Sequence, residues 1–345
     1  MKPPAWQSAL LGRTFLHPLF DYLLIGGGLS LVCTLLVFHS QDPLLGWNTD
    51  FLPFLILLSN SAHFAASTVR LYSKPGVRSE HPLLTMLFPL LTMVVLVVCV
   101  AFPLHLGKHL QAFYLTWSPY HYAAQAYGLA IIYCVRSGSV LEKIEKRVFR
   151  WICMVPFLLA FLGAPHAGLG WLYPAAHTNP LTAPVLALIR TGLIAAAFLL
   201  PLAFAIYMYR RRRFILPLVA LLAVLSNSVW WVVLDYLSAF FWATIFHGLQ
   251  YLAIVTLFHV REQKNLPANQ HGPLYHATRF YMVSLLLGYG LFYCWPYAFV
   301  LTGFGLAESV LLVTATINIH HFVVDAYIWR LGRTDSNSRL VTQPV

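Results

Sequence analysis

The sequence predicts an all-α fold: a polytopic membrane helix bundle of about ten transmembrane helices, both termini cytoplasmic, forming one integral membrane domain over residues 1–345. Three observations predict it. Hydrophobic residues make up 59% of the 345-residue chain and charged residues only 10%, against about 25% charged in soluble domains. The mean hydropathy is +0.70. Apolar runs near the roughly 20 residues that a spanning helix needs recur along the whole chain.

Taken in order, the runs cover residues 19–39, 51–70, 83–104, 110–135, 149–165, 183–208, 213–234, 238–259, 280–298 and 304–329. The first follows Pro3, Pro4 and Arg13 and lacks a small-residue cleavage pattern, so it reads as a span rather than a cleavable signal. The fifth is short, and the ninth holds Pro296 near its end. The connecting loops, the longest at about 260–279 and 165–182, have no room for a folded soluble domain. No internal repeat or low-complexity segment interrupts the series.

Charge placement supports the count and orients it. With the N-terminus inside, 20 of the 22 basic residues fall in segments on the same side, Lys108 and Arg190 being the exceptions. That is the bias of cytoplasmic loops. The net charge of +11 therefore reflects topogenic residues near anionic headgroups, and the sequence predicts no nucleic-acid partner. Five scattered cysteines form no C-x-x-C, which leaves no sign of a zinc ribbon, a disulfide framework or c-type haem attachment. The lack of a eukaryotic targeting feature points to a bacterial inner (cytoplasmic) membrane.

Polar groups inside such spans cost several kcal/mol unless satisfied. Of fifteen histidines, His39, His105, His109, His166, His177, His271 and His276 lie in loops or at span ends, and His81 and His259 near the cytoplasmic rim. The remaining five in the later spans are His63, in "SNSAHFAAST", His121, in "SPYHYAAQAYG", His247, in "TIFHGLQYL", and His320 and His321, in "NIHHFVVDAYIWR". All lie on even-numbered spans. Measured from the next inside basic residue, they fall within a slab of roughly 12 Å at 1.5 Å per residue.

Such imidazoles can be separate interhelical hydrogen-bonding groups, each contributing about 0.6–2 kcal/mol, or together one metal site. Imidazole suits iron, copper and zinc, and iron is the expected ion. Polar neighbours at helical spacing are candidate orienting groups: Gln125 four after His121, Gln250 three after His247, Asp325 four after His321, Asn60 three before His63. His17 and Asp21 repeat the H-x-x-x-D spacing at the first span. Adjacent helical residues point about 100° apart, so His320 and His321 do not present equally to one ion. The sequence leaves open which ligates. Trp117, Tyr120, Tyr122, Tyr127, Trp230, Trp231, Trp242, Tyr251, Tyr327 and Trp329 read either as interfacial belts and packing or as walls of a tunnel for a long apolar substrate.

A polytopic bundle with histidines on several helices and a last helix reading H-x-x-x-D-x-x-x-W-R resembles the Brp/Blh-type membrane β-carotene 15,15′-dioxygenases. "NIHHFVVDAYIWR" is similar to that family's late segment and "SAHFAAST" to its early "HF" segment, over about 40 residues. The early "PHGALDH"-like motif is absent, its nearest counterpart being "HPLFD" at His17–Asp21. The acidic residue after "HF" is replaced by Ser67 and Thr68. The resemblance implies a histidine-bound ferrous iron that cleaves a carotenoid with dioxygen. The three histidine boxes of membrane fatty-acid desaturases are absent.

These features predict a membrane-embedded, histidine-ligated metal oxidase or oxygenase, with non-haem iron, acting on a lipophilic small molecule or lipid. The alternatives are a transporter or permease, and a haem-linked electron carrier with bis-histidine ligation, for instance by His121 and His247. The sequence does not give the oligomeric state.

Overall fold

The computed structural model describes residues 10–46, 49–73, 76–328 and 341, and among them every regular element is helical. Six helices are long and apolar enough to cross a membrane: Leu52–Tyr72, Leu83–Ala101, Thr182–Arg212, Tyr236–Lys264, Pro273–Leu301 and Leu306–Tyr327. Pro18–Ile25 and Gly28–Ser40, bent by 50°, make a seventh if counted as one span. Of the ten spans expected, these are the ones whose helices meet both length and composition, and the others fall short for identifiable reasons. Lys108–Arg136 has 29 residues, but Gln111, Ser118, His121 and Gln125 dilute its apolar character. The fifth run is two helices, Lys143–Cys153 and Val155–Gly163, that break at Met154 before Pro156. Leu218–Val233 has only 16 residues. Trp329 and Arg330, which close the late motif, lie outside the described residues.

Large apolar side chains face outward along the spans, including Leu90, Leu188, Leu199 and Leu286, each at least 60% exposed. Soluble monomers rarely expose contiguous apolar surface on this scale, and hydrocarbon is the solvent that suits it. Wide π turns sit where proline removes a backbone donor. Pro89 cannot bond the Thr85 carbonyl nor Pro296 that of Phe292, and the turns Leu83–Leu87 and Gly290–Cys294 fall there.

The chain divides into two compact units. One comprises residues 1–47, 116–250 and 341–345. Within it Gly28–Ser40 packs on Leu218–Val233, and Val155–Gly163 on Thr182–Arg212. The first helix bends at Gly26–Gly27. Gly27 has φ +83°, and a Cβ there would lie 2.5 Å from Ser226 Oγ, so only glycine allows this close approach. The break exposes the Ile25 carbonyl to the Gln250 amide, which donates to it at 3.2 Å. The N-terminal segment is tied down by Arg136, whose Nε donates to the Thr14 carbonyl and whose guanidinium lies 4.3 Å from the Phe15 ring centre. On the Leu218–Val233 helix, Asn227, Trp230 and Trp231 are buried. Both polar side-chain atoms of Asn227 and both indole nitrogens have no hydrogen-bond partner among the described residues, nor does the Thr34 hydroxyl. Each buried unpaired group costs about 1–3 kcal/mol.

The other unit comprises residues 48–115 and 251–340. Leu52–Tyr72 packs against Pro273–Leu301, and the last helix against Leu83–Ala101 and Leu52–Tyr72. One core joins Phe64, Leu96, Phe292, Leu312, Val313 and Phe322. A second joins Ala62, Ala66, Tyr251, Val255 and Phe280. Arg70, 1% exposed, pairs with Glu262 at 3.0 Å.

Candidate metal centre

His63 follows a π turn, Leu57–Ser61, in the Leu52–Tyr72 helix. Such turns widen the helix locally and are frequent at functional sites. Its ring lies 4.4 Å from the His321 ring, nearly perpendicular at 83°, and 4.5 Å from the Tyr251 ring. Both histidines are fully buried, His63 at 0% and His321 at 1% exposure.

Hydrogen bonding fixes the tautomer of His321. Ser67 Oγ donates its single proton to the Phe64 carbonyl at 2.8 Å. The same oxygen lies 2.8 Å from His321 Nδ1, so it must accept from Nδ1–H there. Nε2 is then the nitrogen that keeps a lone pair, the form a metal ligand needs. Asp325, one turn on, places Oδ2 3.9 Å from that Nε2, while its Oδ1 accepts from the Tyr251 hydroxyl at 2.7 Å. The expected H-x-x-x-D neighbourhood is present, with a tyrosine added to it.

His121 and His247 form a second pair, ring centres 4.8 Å apart at 76°. Pro119, two residues before His121 in the Lys108–Arg136 helix, cannot bond the Leu115 carbonyl. Tyr122 packs its ring 4.5 Å from that of His247 and shares a 2.8 Å hydrogen bond with Thr244. Gln125 donates to the His247 backbone carbonyl at 3.1 Å, and its amide nitrogen lies 3.5 Å from Gln250 Oε1. The two glutamines therefore hold helix backbone: Gln125 at His247, Gln250 at Ile25.

His63 and His321 in one unit, and His121 and His247 in the other, are thus two pairs of buried imidazoles, each close enough to share a metal ion. Histidine nitrogens bind such ions at about 2.0–2.1 Å, so two on one ion are at most about 4.2 Å apart. Binding a structural metal ion yields about 10–16 kcal/mol in small zinc sites. That far exceeds what hydrogen bonding alone returns for imidazoles in a membrane, about 0.6–2 kcal/mol each.

The other residues expected at the site sit elsewhere. His320 is in neither pair; its ring stacks on Phe88 at 5.4 Å and 16°, as the 100° offset between neighbours requires. His17 caps its own helix, its Nδ1 accepting from the Leu19 amide. Asp21 is fully buried and accepts from the Phe15 and Leu16 amides and the Tyr133 hydroxyl. Both serve the N-terminal segment. Ser67 was visible in the sequence only as a departure from an acidic residue, although its place four after His63 puts it on that histidine's face. No family model, curated protein or solved structure matches this chain.

Proposed function

We propose that the protein is an integral membrane oxygenase in which the pairs His63–His321 and His121–His247 hold non-haem iron that acts with dioxygen on a lipophilic substrate. The observation that carries this reading is the pairing of buried imidazoles within each unit, His63 with His321 at 4.4 Å between ring centres and His121 with His247 at 4.8 Å. Iron is favoured because a two-histidine set leaves coordination positions for dioxygen and substrate. The bound ion would supply oxygen activation. The chain's own residues do the rest: Ser67 holds the His321 tautomer, Gln125 secures the His247 backbone, and the apolar helices exclude water. The resemblance of the last helix to β-carotene dioxygenases supports an apolar substrate.

Elemental analysis of protein purified in mild detergent tests the proposal. Near-stoichiometric iron is expected in the parent and in His320→Ala, with loss in His63→Ala, His121→Ala, His247→Ala and His321→Ala. Parent protein that stays metal-free after expression in iron-supplemented medium overturns it, and zinc in place of iron removes the oxygenase part.

A further inference from the structure

On the Leu218–Val233 helix, Asn227, Trp230 and Trp231 fall at i, i+3 and i+4, so that Asn227 lies in direction between the two indoles, which leave the helix about 100° apart. They are 2%, 1% and 7% exposed, and none of their polar side-chain atoms has a hydrogen-bond partner among the described residues. The helix packed against this one, Gly28–Ser40, carries the equally buried and unpartnered Thr34 hydroxyl. Buried polar groups in native proteins are almost always satisfied. A face with three N–H-bearing side chains and no ion among them calls for a neutral oxygen acceptor. From Trp231 a row of aromatic rings leads on: Trp231 to Tyr236 at 5.8 Å, Tyr236 to Phe240 at 6.2 Å, Phe240 to Tyr122 at 6.4 Å, and Tyr122 to His247 at 4.5 Å.

We infer that Asn227, Trp230 and Trp231 form a binding site for the carbonyl or hydroxyl oxygen at one end of an elongated apolar molecule, whose body lies along the aromatic row toward His247. The inference deepens the proposed function: it rests on the histidine site acting on a lipophilic substrate, and adds that this substrate carries a terminal oxygen. Indole N–H and carboxamide donors give an uncharged oxygen its hydrogen bonds, and the rings give an apolar body its contacts. Specificity follows from the polar end, since a site built to bond an oxygen leaves its own donors unpaired when an analogue lacks one.

The test uses full-length protein in lipid nanodiscs, a carbon-13-carbonyl long-chain methyl ketone, and the alkane of equal length as competitor. Saturable ketone binding is expected, with the carbonyl stretch moved to lower frequency by hydrogen bonding and the alkane competing at least about tenfold more weakly. Trp230→Phe keeps the bulk and removes one donor; Asn227→Leu removes the amide. Each should abolish the shifted band or narrow the ketone preference, with iron content unchanged. No saturable ketone binding, equal competition by the alkane, or an unshifted band overturns the inference and leaves water as the occupant, even if iron is present. Selective ketone binding in protein that holds no iron sustains the site while the iron reading fails.

Discussion

Ser67 has one proton and gives it to the Phe64 carbonyl, and that small fact sets which nitrogen of His321 can bind a metal. Ser67→Ala should weaken metal affinity by about 10–100-fold, the usual effect of losing a group that orients a ligand. Ser67→Thr, which keeps the hydroxyl, should restore most of it; competition with a chelator measures both. Asp235 works at the same scale in a different place. It caps the Tyr236–Lys264 helix, its Oδ1 accepting from the Leu237 and Ser238 amides at 3.0 and 3.1 Å. Burial raises its pKa, but the bonds from Ser238 and Leu237 outweigh that and hold the carboxyl below its usual value of 3.8. A depressed folded-state pKa contributes stability above the unfolded value and loses it as pH falls through the folded value. The cap should therefore persist at neutral pH and fail only below about pH 3.8. Asp235→Ala should cost about 1 kcal/mol at pH 7, read by thermal unfolding, and the parent–variant difference should shrink in acid.

At the scale of elements, backbone approach positions the ligands. A Cβ on Gly288 would lie 2.7 Å from the Ser61 carbonyl oxygen, on the π turn that precedes His63. Gly288→Ala must push Pro273–Leu301 away from Leu52–Tyr72. A loss of about 1–3 kcal/mol in stability is expected, together with reduced iron loading because His63 moves with its turn. Unchanged unfolding and iron content would show that this contact does not set the histidine. Gln125 and Gln250 belong to the same scale. Spacing pairs each with the histidine on its own helix, yet both amides bond backbone carbonyls of other segments, because a long side chain reaches whatever carbonyl the packed neighbour presents.

For the whole molecule, a metal bound only by the folded state stabilises it by mass action, about 4 kcal/mol at a thousandfold excess over Kd. Chelation should lower the melting temperature of the parent and leave that of His247→Ala unchanged, as differential scanning fluorimetry would show. The charge distribution still supports ten crossings with both termini cytoplasmic as a proposal. On a cysteine-free background, a cysteine at Ser139 should label only from the cytoplasmic side and one at Asn179 only from the opposite side. Labelling of both from one face would discard that topology.

Sequence alone determined that this chain is helical and apolar enough for a membrane, because composition and run length depend on nothing beyond the residues themselves. It also marked His63, His121, His247 and His321 as unusual, since polar side chains inside apolar runs stand out against their neighbours. Only the tertiary structure separated His321 from His320, because a 100° difference in direction matters only once a neighbouring helix is in place. It also gave Ser67, Tyr251 and Asn227 their significance and assigned Asp21 to the N-terminal segment, since hydrogen-bond partners far apart in sequence leave no local pattern. The difference between ten apolar runs and six clear spans has this origin only in part: breaks at Gly26–Gly27 and Met154 depend on close approach and lost backbone donors, which hydropathy does not register, whereas Lys108–Arg136 falls short on polar residues that it does.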